Sequence, residues 1–143
     1  MDEAAKAARR MQIQSELTRT RSSRDENTVS RNRVNIDIED LESASNQLSN
    51  CISKMRDIVR GVRDCHQEVP DSNFRGSRRT RIEDRLRQAS DRLKSKRDAH
   101  MRNRELVIGR IRTLRDRRNE LSRTVNIQNN RITSLEAELR RLR

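Results

Sequence analysis

Two cysteines and two histidines are the side chains best suited to bind a metal or to form a disulfide, and their spacing fits neither role. Cys51 and Cys65 are 14 residues apart. Within one helix that separation is about 21 Å along the axis, whereas a disulfide needs Cα atoms within about 7 Å. Together with His66 and the distant His100 they match no metal-ligand spacing. The sequence therefore predicts no metal, no cofactor and two half-buried helix cysteines.

The acidic residues also lack the arrangements that catalysis requires. The chain has no glycine-rich phosphate loop and no nucleophile next to a base. Acidic pairs such as Asp25-Glu26 and Glu83-Asp84 alternate with arginine at the spacing of ion pairs on a helix surface. With one Phe, no Trp, and 30% apolar against 39% charged residues, the chain has too little apolar surface for a compact globule. We therefore expect no enzymatic activity.

Arginine is the residue type best placed to bind another molecule, because the net charge is +12. Basic and acidic residues balance in residues 1–70, so the whole excess lies in residues 71–143. Arginine forms two parallel hydrogen bonds to carboxylate or phosphate, so the excess of arginine over lysine fits binding to either group. The codon usage of a GC-rich genome would produce the same excess, and the sequence leaves both explanations open. The basic half favours an acidic protein partner. Nucleic acid is expected to bind only without sequence specificity, since aromatic residues for base stacking are missing.

One segment has the composition of a turn, and it lies near the middle of the chain. Pro70 cannot continue a helix, and Gly76 tolerates a positive φ. Each flanking segment has no proline and a single glycine, Gly61 or Gly109. The sequence predicts one all-α domain over residues 1–143, with helices over about 3–68 and about 77–142 and a turn over about 69–76. The second helix is expected to start at a capping box, Thr80–Glu83, or a turn earlier at Ser77.

Both predicted helices carry apolar residues at alternating spacings of four and three, the pattern of a coiled-coil seam. Arg24, Asn27 and Arg31 interrupt the first seam, and Arg118 and Gln128 the second. Near the turn, Ile82 to Leu93 follow another phase, so a shift of about four residues is expected between Lys96 and Arg104. The residues predicted to form a partner-binding seam are Ile38, Leu41, Leu48, Ile52, Met55, Ile111, Leu114, Leu121, Val125, Ile132, Leu135 and Leu139.

A short turn favours antiparallel neighbours, so the predicted fold is a long antiparallel two-helix coiled-coil hairpin with a central turn. The alternative is a parallel dimer of two extended chains. Folding at the middle of the turn pairs residues whose numbers add up to about 145. In that register Leu135 faces Met11, and Gln128 faces Leu17.

The segment Phe74-Arg75-Gly76 between two long helices resembles the Trp-X-Gly turn of the helical-hairpin proteins handled by type VII secretion systems. More narrowly, residues 74–143 are similar to a small family co-encoded with LXG polymorphic toxins, in which an aromatic-X-Gly turn precedes a long helix ending in Ile/Leu heptads. Phe74 takes the place of the turn aromatic, where Trp is commoner, and Gly76 that of the turn glycine. No Tyr is present, so the family's C-terminal Tyr-X-X-X-acid export signal has no counterpart.

The resemblance implies a non-enzymatic adaptor or targeting chaperone that binds the helical N-terminal domain of an LXG-type toxin and aids its export. The implied partner is an acidic helical domain, with or without a second small helical protein. In that setting Pro70, Phe74 and Gly76 form a turn that is recognised by another protein, or one that only closes the hairpin. The alternative function is a basic coiled-coil scaffold or stalk that binds nucleic acid non-specifically.

The expected location is cytoplasmic, or secreted with the partner by a route that reads no signal peptide. The first residues lack a basic segment followed by an apolar one. The longest apolar run, Leu106 to Ile108, is far shorter than the roughly 18 residues of a membrane span.

Overall fold

The computed structural model describes residues 2–71 and 73–142, and it consists of two long helices packed against each other. Helix α1 spans Glu3–Glu68, a 3-10 turn spans Val69–Asp71, and helix α2 spans Gly76–Arg141. The described residues contain no strand. The predicted all-α helical hairpin is therefore confirmed. Ser72, which the sequence places in the turn, lies outside the described residues, as do Met1 and Arg143.

The turn begins where proline ends the first helix and finishes at a glycine. Pro70 has no backbone N–H to donate, and α1 gives way to the 3-10 turn one residue before it. Gly76 has a φ of 58°, which other residues adopt only at a cost. The capping box predicted at Thr80 is wrong, because α2 already begins at Gly76 and the Thr80 hydroxyl donates to the Gly76 carbonyl (3.4 Å). Glu83 instead accepts a hydrogen bond from Arg79 Nε at 3.1 Å.

The contacts divide the chain into two compact units, and each helix contributes to both. Unit 1 comprises Met1–Glu39 and Arg112–Arg143, and unit 2 comprises Asp40–Ile111.

Unit 1 holds the best-packed part of the seam. Ile13 and Leu135 are fully buried and form a cluster with Leu17 and Ile132. Leu139 and Leu142 pack on the same cluster. The Arg10 guanidinium donates to the Leu142 carbonyl, with Nε at 2.8 Å, which satisfies one of the carbonyls left unpaired at a helix C-terminus.

The helix register in unit 1 differs from the predicted one by about one heptad. Leu135 packs on Ile13 and Leu17, whereas the predicted neighbour, Met11, is 72% exposed. Gln128 accepts a hydrogen bond from Asn27 Nδ2 at 3.2 Å, where the sequence placed Leu17 opposite it. The predicted pairing is therefore wrong. Ion pairs on both edges of the seam join Arg21 to Glu136, Arg9 to Glu138 and Arg131 to Glu16.

In unit 2 the half-buried face of α2 changes phase at the start of the predicted segment. The face runs along Ile82, Leu86, Ala89, Leu93, Arg97, His100, Arg104 and Val107. Two successive four-residue steps occur at Ala89, Leu93 and Arg97, and the second step ends inside the segment Lys96–Arg104 in which the shift was expected. Such a doubled step brings the local repeat closer to 3.67 residues per turn and relaxes the supercoil.

Candidate functional site

The predicted partner-binding seam lies on the inner face of the helices. Its buried members are Ile38, Ile52, Ile111, Leu114, Leu121, Val125, Ile132 and Leu135. Leu41, Leu48, Met55 and Leu139 are half-buried. The buried side chains hold the fold together, and the role of the seam in partner binding stays a prediction.

Burial along the seam is uneven between the units. Among the described residues, eight buried apolar side chains belong to unit 1, and only Ile52, Val69 and Ile111 belong to unit 2. Unit 2 has as many apolar seam positions, but Leu41, Leu48, Met55, Val59, Val62, Leu86, Leu93 and Val107 are only half-buried. The apolar side chains of this seam therefore keep part of their surface in contact with water. Packing against another apolar surface would remove that exposure.

Some of the polar side chains at seam positions of unit 1 form hydrogen bonds, and others form none with the described residues. Arg24 donates to Asp25 (2.9 Å) and to Asn129 (3.4 Å), and Asn27 is bonded to Gln128. Arg31 and Arg118 are half-buried, and neither makes a hydrogen bond or an ion pair with the residues that the structure describes. Such positions weaken a coiled coil and restrict its register and partners.

At the tip of the hairpin, the predicted turn residues lie beside a cluster of arginines. Phe74 is half-buried, and the Arg78 guanidinium lies 5.2 Å from the centre of its ring, which is within cation–π range. Pro70 and Gly76 are exposed. Arg78, Arg81 and Arg85 line a shallow depression of about 360 Å³ around Ile82.

A groove in unit 2, here called the Ile52 groove, combines apolar surface with unpaired charge. Helix α1 contributes the floor, Ile52, which is 5% exposed, and α2 contributes a wall, Met101, which is 39% exposed. The volume is about 400 Å³. The lining residues are Ser49, Ile52, Arg56, Met101, Arg102, Arg104 and Glu105.

The charges of the Ile52 groove are predominantly positive. Arg104 Nε donates to the Ser49 hydroxyl at 2.7 Å, so this guanidinium is bonded to a neutral group. Arg56 and Arg102 make no ion pair or hydrogen bond with any described residue, and Glu105 is the sole carboxylate in the lining. This groove was not predicted from the sequence. Heptad numbering assigns Arg56 and Met101 to positions that flank a seam, but only the register of the two helices makes them neighbours.

The cysteines and histidines lie at separate places along the helices. Both cysteines are free and exposed, so the prediction of half-burial is wrong. His66 and His100 are half-buried on the seam, and the buried Nδ1 of His100 has no hydrogen-bond partner among the described residues. In that part of the chain no three His, Cys, Asp or Glu side chains are grouped as metal ligands. Neither described helix has an apolar stretch capable of spanning a bilayer.

No protein-family model, curated protein or solved structure matches this chain.

Proposed function

We propose that this chain is a non-enzymatic adaptor that binds a helical partner, and that the partner is the acidic N-terminal domain of an LXG-type toxin exported by type VII secretion. The uneven burial of the seam carries the proposal. The unit 2 seam has the apolar repeat of a coiled coil but buries only three apolar side chains in the described residues. A helix laid along it would cover the half-buried leucines and valines, which is the usual way an amphipathic helix binds in a groove.

The sign of the charge supports an acidic partner. The net charge is +12, and several arginines beside the unit 2 seam are without carboxylate partners in the described residues. Opposite charge speeds association and disfavours basic competitors. The aromatic-X-Gly turn and its resemblance to type VII partners supply the choice of toxin domain.

The experiment is co-expression of the full chain with a candidate LXG-type N-terminal domain, followed by copurification and thermal melting. We expect the two proteins to copurify, and the complex to melt higher than the free chain. A partner at 100 times its Kd adds about 2.7 kcal/mol, or roughly 5–10 °C. The adaptor proposal fails if no acidic helical domain copurifies or raises the melting temperature.

The tip is tested in the same assay with Phe74→Ala. If another protein recognises the tip, the variant loses capture while the free chain melts as before. If Phe74 only closes the hairpin, the variant melts lower and capture falls no further than the lost stability explains.

A second candidate function is a basic scaffold that binds nucleic acid non-specifically, and the cluster of Arg78, Arg81 and Arg85 favours it. Phosphate neutralisation by several arginines makes the affinity fall steeply with salt. A duplex oligonucleotide that binds tightly near physiological salt, while acidic helical domains do not bind, would favour this alternative.

A further inference from the structure

We propose that the Ile52 groove is the docking site for an acidic amphipathic helix. An apolar side chain of that helix packs on Ile52 and Met101, and its carboxylates lie beside Arg56, Arg102 and Arg104. This inference rests on the proposed function and specifies where on the chain the partner binds.

The apolar residues of the Ile52 groove are placed to contact an apolar side chain of a bound helix. Ile52 forms a buried floor and Met101 an accessible wall. Methionine has an unbranched, adaptable side chain that packs well on surfaces of varied shape. Arg56 and Glu105 also line the groove, so the apolar surface lies between charged side chains, an arrangement that an amphipathic helix complements.

The charged residues of the Ile52 groove favour a ligand that carries carboxylates. Three arginines and one glutamate line the groove, and none of the arginines has a carboxylate partner among the described residues. Carboxylates at the edges of a docked helix would meet these guanidinium groups in the two-pronged geometry that arginine favours. A second copy of this chain is disfavoured because both copies carry +12. Nucleic acid would leave the apolar floor and wall uncovered.

Two other grooves lined by described residues have less unpaired positive charge beside their apolar surface, and the depression at the tip has Ile82 as its one apolar lining residue. In the unit 1 groove beside Leu17, Arg21 is already paired with Glu136 at 2.6 Å, which leaves Arg140 as the remaining basic residue. In the unit 2 groove beside His66, Arg97 is paired with Asp98 at 3.0 Å, and Asp91 adds a negative charge. The Ile52 groove therefore offers unpaired positive charge next to an exposed apolar wall.

The test uses the full chain and a fluorescein-labelled probe peptide of about four heptads, with Leu at a and d, Glu at e and g, and Ala elsewhere. Fluorescence polarisation is measured at about 0.15 M salt, where long-range attraction is screened. We expect Arg56→Glu with Arg102→Glu to weaken binding at least about tenfold, and Met101→Ala about fivefold. A peptide with Lys in place of Glu should not bind.

The matched control is Arg33→Glu with Arg123→Glu, two exposed arginines of unit 1. It changes the net charge by the same amount, and we expect it to weaken binding less than about twofold. Circular dichroism of each variant establishes that helicity and melting are unchanged. Amide hydrogen exchange should slow in residues 45–60 and 97–108 when the acidic peptide is added.

The outcomes separate the two proposals. If the acidic peptide binds but the groove and control variants weaken it equally, the groove assignment is wrong and the adaptor proposal stands. The same conclusion follows if protection maps to unit 1. If neither the acidic peptide nor any acidic helical domain binds the wild-type chain, both proposals fail. If a duplex oligonucleotide binds in a groove-dependent manner and the peptide does not, the ligand class is wrong.

Discussion

Replacing Leu135 with alanine should lower the free energy of unfolding by about 3 kcal/mol, because it opens a cavity in the best-packed part of the seam. Leu135 is fully buried against Ile13, Leu17 and Ile132. Two helices leave few neighbouring side chains to move into the space, so relaxation recovers little of the loss. We expect a drop in melting temperature of about 10 °C, measured by circular dichroism with urea unfolding as a second measure.

The control for this change is Ile127→Ala on the same helix. Ile127 is 69% exposed, so its truncation removes little packing and should change stability by less than about 0.5 kcal/mol. Equal effects of the two substitutions would mean that Leu135 is not buried in solution and that the unit 1 cluster is misplaced.

Replacing both Asn27 and Gln128 with leucine should stabilise the chain by about 2 kcal/mol, since apolar burial at two half-buried seam positions outweighs the two hydrogen bonds that are lost. The two side chains are bonded to each other at 3.2 Å, and Gln128 Nε2 also donates to Ser23 at 2.9 Å. The cost is specificity, because polar seam residues hold coiled coils in one register and oligomeric state. We expect a higher melting temperature together with new oligomers on size-exclusion chromatography.

The matched control is Asn32→Leu with Asn126→Leu, two exposed asparagines of unit 1. It adds the same apolar surface outside the seam and should leave the melting temperature within about 2 °C. If the seam variant is no more stable than this control, Asn27 and Gln128 do not line the seam.

The heptad pattern was sufficient to predict the helices and their inner faces. Val34 through Val69 recur every three or four residues, and each apolar member of that series is buried or half-buried. Such a repeat is local, so it can be read without knowledge of the partner helix.

The register could not be predicted in the same way, because a heptad repeat looks alike when one helix slides by seven residues. The predicted register places the reversal of the chain at the middle of the turn. Observed pairs such as Asn27 with Gln128 and Ser49 with Arg104 correspond to a reversal about four residues later, near Gly76, whose φ of 58° accommodates it.

The Ile52 groove was missed for a related reason. Arg56 and Met101 are far apart in sequence and become neighbours only once the register is known. Ionic and apolar groups on the edges of a seam follow from helix pairing, whereas the seam itself follows from each helix alone.

The central claim, that one chain folds back on itself with Asn27 beside Gln128, is tested most directly by crosslinking. In a Cys51→Ser, Cys65→Ser background, Asn27→Cys with Gln128→Cys is treated with a short bismaleimide, and Asn27→Cys alone serves as the comparison. The hairpin predicts an internally crosslinked monomer for the double variant and no covalent dimer for the single one. Covalent dimers from the single variant, with no internal crosslink in the double variant, would show extended chains paired in parallel and contradict the account.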